Sequence, residues 1–167
     1  MGYMSSPTAY HQLGKFIVDF QYLEEAVDDL LELLVDADSE AIKILAHELE
    51  YSKRLKTADA IFSRFVDIRM NTDKLKKDEF HKLMVCLGKL GERRNELVHS
   101  KYNPWKNVDG NQGLLRRNSK LERQGSGLKT NEEELQPDAF DGDLADLRNA
   151  AQSLEVFRSA IIDYVYS

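Results

Sequence analysis

Apolar residues recur at three- and four-residue steps through most of the chain, and that spacing predicts amphipathic helices. The first predicted helix runs from about Tyr10 to Val35, with Leu13, Phe16, Ile17, Phe20, Leu23, Val27, Leu30, Leu31 and Leu34 on one face. Asp36-Ala37-Asp38-Ser39 then interrupts the pattern, and Ser39 is the expected cap of the next helix. The second stretch, Glu40 to about Met70, carries Ile42, Ile44, Leu45, Leu49, Leu55, Ala58, Ile61, Phe62, Phe65 and Ile68. A polar patch from Glu50 to Lys56 predicts a break or kink, so this stretch reads as one bent helix or two. The third helix spans Lys76 to about His99 and presents Phe80, Leu83, Met84, Leu87, Leu90, Leu97 and Val98. Gly88 and Gly91 inside it each cost about 1 kcal/mol relative to Ala, which suits close approach by another helix. The last helix covers about Asp138 to Tyr164, with a stripe of Leu144, Leu147, Ala151, Leu154, Phe157, Ile161 and Tyr164.

The pattern changes between Lys101 and Pro137. Pro104, Asp109-Gly110, Gly113, Gly125 and Gly127 are turn signals, and Gly113 to Arg123 has weak strand character. A small hairpin across Gly125-Ser126-Gly127 is expected. The fold class read from the pattern is all-α: an antiparallel bundle of four to five helices, with a loop or β-hairpin insertion (about 101–137) before the last helix. Residues 1–167 read as a single domain without internal repeats.

Composition narrows the function. The net charge is -6, which excludes a uniformly basic nucleic-acid binder but not a local basic patch. From Lys74 to Lys129 there are 14 Lys and Arg against 6 Asp and Glu, so a polyanion such as RNA could be met there. One cysteine, Cys86, excludes an internal disulfide and a Cys-rich zinc framework, and it is expected as a buried small hydrophobe. No stretch reaches the roughly 18 apolar residues of a membrane span, and the first residues lack a signal-peptide pattern. Cytoplasmic location and no membrane partner are the expectations. His11 and His81 stand without metal partners, His47-Glu48 lacks the second His of a zinc-protease helix, and neither a calcium loop nor a phosphate loop is complete. Neither a metal nor a cofactor is expected.

The densest polar cluster is Gly91-Glu92-Arg93-Arg94-Asn95-Glu96-Leu97-Val98-His99-Ser100, followed by Lys101 and Tyr102. It places a fixed guanidinium near a titratable imidazole at a helix end, with Leu97 and Val98 expected to face inward as anchors. Arg94 and His99 are five residues apart, about 140° around a regular helix, so one face holds both only if the last turn deforms or Arg94 reaches round. Such a pair suits RNA cleavage without a metal. The guanidinium can stabilise charge on a phosphorane, and an imidazole of ordinary pKa, about 6.5, can take or give a proton. Arg116, Arg117, Lys120 and Arg123 would form a basic arm on the hairpin, read either as phosphate contacts or as a charged edge that blocks strand pairing. Arg93 reads as a solvated neighbour or a phosphate contact. Tyr102 and Trp105 could stack on bases, but packing over the end of the bundle is the favoured reading.

Arg94-Asn95-Glu96-Leu97-Val98-His99 resembles the Arg, four residues, His signature of HEPN domains, with their frequent polar residue directly after the Arg. These are small, mostly helical bundles of toxin–antitoxin and antiphage systems, and many are metal-independent RNases whose site forms where two motifs meet across a homodimer. The resemblance implies Arg94 and His99 as catalytic residues and Asn95 as the supporting polar group. Arg93, Lys101, Tyr102, Arg116, Arg117, Lys120 and Arg123 are then the expected RNA contacts, with an antitoxin or another protein as a further partner. In one toxin subgroup a Tyr lies two residues after the His and is modified by the antitoxin; here Tyr102 lies three residues after His99. The competing reading is a non-catalytic helical module for dimerisation or partner binding, in which the motif is structural: Arg94 pairs with a carboxylate, and His99 sits at a helix C-terminus favoured by the macrodipole.

Overall fold

The computed structural model describes residues 7–69, 76–121, 125 and 127–166. The elements follow in the order α1 (Ala9–Val35), α2 (Ser39–His47), α3 (Tyr51–Ile68), α4 (Lys77–Val98), β1 (Lys101–Lys106), β2 (Gln112–Leu121), β3 (Leu128–Leu135), a 3-10 turn (Pro137–Phe140) and α5 (Asp141–Tyr166). The protein is mostly helical, but it is not all-α. The expected insertion is a three-stranded antiparallel sheet in the order β1-β2-β3. The hairpin anticipated from the turn signals is β2–β3, and β1 is an additional strand ahead of it. Pro104 argues against a strand because it lacks an N–H for the ladder, yet β1 lies at the sheet edge, where that loss is tolerated.

The chain divides into two compact units, Met1–Asp19 with Glu92–Ala145, and Phe20–Gly91 with Asp146–Ser167. The second unit is helical. Its buried side chains include Phe20, Leu23, Val27, Leu30, Leu55, Phe62, Phe80, Leu87, Leu154 and Ile161, as the apolar stripes require. Phe62 stacks on Phe80 with ring centroids 4.0 Å apart, and Phe157 meets both rings edge-on. The polar patch does separate two helices, but the break falls earlier, at residues 48–50. Arg54 holds that corner. Its Nε donates to the Leu49 carbonyl at 3.1 Å, and its Nη1 reaches both carboxylate oxygens of Asp28 on α1.

Several expected positions shift. Asp38, not Ser39, caps α2, because its Oδ1 accepts the Ala41 N–H at 2.8 Å and Ser39 is already the first helical residue. Gly91 does admit a close neighbour: a Cβ there would lie 2.8 Å from the Tyr51 ring. Gly88 meets nothing closer than 3.9 Å, so close packing does not require it. Cys86 is exposed, on the flank of the α4 stripe rather than in it. Ile44 and Leu45 are exposed because the nine-residue α2 buries only Ala46. On α5 the stripe passes through Ala150 in place of Ala151. His81 Nδ1 lies 2.6 Å from an Asp59 carboxylate oxygen.

The first unit contains the sheet and the end of α4, with Phe16, Leu97, Leu114, Leu115, Leu135 and Phe140 buried. Asn107 builds the β1–β2 turn. Its Oδ1 accepts the N–H groups of Asp109 and Asn111, and Gly110 takes a left-handed φ of 84° that favours glycine. Gly113 is also required: a Cβ there would sit 2.6 Å from the Leu135 carbonyl oxygen. No described helix is long and apolar enough to cross a membrane.

Candidate functional site

The motif occupies the end of α4 and the first of the two residues that join it to β1. Arg94, Asn95, Glu96 and Leu97 are helical, and α4 ends at Val98. His99 continues the helical hydrogen bonding through its N–H to the Asn95 carbonyl at 3.0 Å, and its side chain is exposed. Leu97 is buried as expected; Val98 is 44% exposed and does not anchor the turn. Arg94 Nη1 donates to Asn95 Oδ1 at 3.1 Å.

Two hydroxyl groups claim carbonyls that the helix end leaves without partners. Ser100 Oγ donates to the Glu96 carbonyl, and Tyr102 Oη donates to the Leu97 carbonyl at 2.6 Å. Tyr102 is therefore a clasp on the motif helix. Burial pushes the Tyr102 hydroxyl above its ordinary pKa, while Arg116 and Arg93 pull in the opposite direction.

An open depression of about 550 Å³ lies beside this turn. Glu92, Asn95, Glu96 and His99 line one side, and Asn118, Ser119 and Lys120 of β2 line the other. The lining brings His99 and Asn95 together with Lys120. Arg94 is not part of it. Lys120 stands opposite Lys129 across the β2–β3 ladder, with Ser119 opposite Thr130 and Asn118 opposite Asn131.

The basic arm does not stand as the sequence suggested. Arg116 is 7% exposed, and its Nε donates to Glu133 Oε2 at 2.7 Å. Arg93 donates through Nη1 and Nη2 to the two oxygens of the same carboxylate at 3.0 and 2.9 Å, and through Nε to Asp143 at 2.9 Å. Both guanidiniums are thus engaged by carboxylates of this chain. Arg117 is exposed and pairs with Glu132 at 2.7 Å. Lys101 and Lys120 are exposed, and Arg123 lies outside the described residues. The reason for the difference is register: β3 sets Glu132 opposite Arg117 and Glu133 opposite Arg116.

Glu133 is the residue that sequence reasoning missed. Partial burial alone would raise its pKa, but the Arg93 and Arg116 guanidiniums outweigh burial and hold its carboxyl below the usual carboxylate range. For Arg93, burial acts downward, and Glu133 and Asp143 outweigh it, raising the pKa above the ordinary arginine value. The signal that could have found Glu133 is the acidic run Glu132-Glu133-Glu134, which lies just beyond the basic stretch and within hairpin reach of Arg116-Arg117.

Among the described residues, no group of three His, Cys, Asp or Glu side chains is placed to hold a metal ion. Set against family models, curated proteins and solved structures, the chain matches none. The site must therefore be read from its own chemistry.

Proposed function

We propose that the protein is a metal-independent endoribonuclease of the HEPN type, acting as a homodimer in a toxin or antiphage system. The observation that carries this reading is the exposed His99 imidazole in a depression with Asn95, whose side chain is hydrogen-bonded to Arg94. In this mechanism the ribose 2'-OH loses its proton to one imidazole as its oxygen bonds to the adjacent phosphorus. The Arg94 guanidinium donates to the phosphorane oxygens as charge builds on them. The 5'-oxygen leaves with a proton from a second imidazolium, supplied by His99 of the other copy. The products are a 2',3'-cyclic phosphate and a 5'-hydroxyl. Asn95 orients Arg94. Lys101, Lys120 and Lys129 hold the RNA backbone, and Arg117 does so by exchanging Glu132 for a phosphate.

The second reading is the non-catalytic partner-binding module. Glu92 and Glu96 favour it, because two carboxylates in the same depression oppose a polyanion and suit a basic segment. Incubation of a labelled RNA pool in EDTA with wild type and His99→Ala decides between them. Fragments ending in 2',3'-cyclic phosphate, lost in a folded His99→Ala protein, are expected. Absence of cleavage by the wild type across RNA classes favours the binding module.

A further inference from the structure

We infer that Glu133 is a positioning residue for His99, acting through Arg116 and Ser100. The role of His99 rests on the nuclease reading; the mechanical coupling does not. The chain of contacts starts on β3, where Glu133 accepts from Arg116 Nε at 2.7 Å. The fork of the same guanidinium then donates through Nη1 to Ser100 Oγ at 3.1 Å. A hydroxyl has one proton to give. With its lone pair engaged by Arg116, the Ser100 hydroxyl points that proton at the Glu96 carbonyl, in the last turn of α4.

This arrangement matters because of where His99 sits. It lies between Glu96, whose carbonyl is held, and Ser100, whose hydroxyl does the holding. The same carboxylate takes both outer nitrogens of Arg93, six residues before His99, at 2.9 and 3.0 Å. Glu133 therefore fixes the helix on both sides of the imidazole while touching neither His99 nor the depression. Glutamine in its place offers one acceptor and turns a donor toward two guanidiniums, so Arg116 loses the partner that aims it at Ser100.

The test is a cycle of Glu133→Gln and Ser100→Ala, read by amide hydrogen exchange at His99 and by kcat and KM on RNA. Each single variant is expected to speed His99 exchange, and to lower kcat by at least about tenfold with KM within about twofold, as misplacement of a reacting group does. In the Ser100→Ala background, Glu133→Gln is expected to add less at His99 than it does in the wild type, because only its hold on Arg93 is left to lose. Ser100→Thr, which restores the hydroxyl, is expected to recover both readouts. If Glu133→Gln fails to fold, Arg116→Lys takes its place, since an ammonium keeps the charge without the fork.

Wild-type exchange at His99 in the Glu133 or Arg116 variant overturns the inference. So do additive effects in the cycle, failure of Ser100→Thr to rescue, or a loosened turn with unchanged kcat. If the wild type cleaves no RNA, the nuclease reading fails by itself, and the exchange cycle still decides the coupling.

Discussion

The helical unit and the sheet-bearing unit are stabilised by different means. In the helical unit, Phe62, Phe80 and Phe157 fill the core with ring contacts, and charged groups such as Arg54 stay at a corner. In the sheet-bearing unit, the buried Arg116 shares the half-buried Glu133 carboxylate with Arg93, and hydroxyl groups complete the helix end. Apolar packing is non-directional and tolerates small shifts. A fork of arginine donors on one carboxylate fixes orientation, at a cost in desolvation. The unit that carries the motif adds a carboxylate shared by two arginines to its apolar core.

The sharpest way to break this contrast is to cut each unit at its centre. Phe62→Ala removes a fully buried ring from the stack and is expected to cost about 3–5 kcal/mol in urea denaturation. Glu133→Ala leaves Arg116 buried without its counter-ion. Its expected cost is about 2–3 kcal/mol, below the range for a fully enclosed pair because a third of the Glu133 side chain meets solvent. Amide exchange should localise the first loss to α3 and α4, and the second to β2, β3 and the end of α4.

Acid sharpens the comparison further. The folded pKa of Glu133 is depressed, so its contribution is present above its unfolded pKa and is lost as pH falls through the folded value, below the usual carboxylate range. Melting temperatures of wild type and Glu133→Gln are expected to converge as pH falls through that window. The deficit of Phe62→Ala should hold constant across it. The smallest effect expected is at Asp38→Ala, about 1 kcal/mol, for loss of the cap on the Ala41 N–H.

The same contrast explains what could be read from the sequence. Helical periodicity is local, so α1, α4 and α5 were legible to within a few residues, and the buried faces of α1 and α3 largely as well. Contacts across a sheet depend on register, which local pattern does not contain. A hairpin centred on Ser126 would set Arg117 opposite Leu135; the actual register sets it opposite Glu132. That offset pairs Arg116 and Arg117 of the expected basic arm with carboxylates of β3. Pro104 hid β1 for a similar reason, since its tolerance depends on β1 lying at an edge. Within the motif, the sequence pointed to the exposed His99 and the buried Leu97. Val98 was misjudged because α4 stops there.

The connection from α4 to β1 consists of His99 and Ser100 alone. A junction so short has no slack. One inserted residue adds up to about 3.5 Å of chain, longer than the hydrogen bonds that close the turn. Length changes here should be far less tolerated than at the Asn107–Asn111 turn, where Val108 is fully exposed. That turn is accordingly the place to graft a label or an epitope, and the junction is the place to leave the chain uncut.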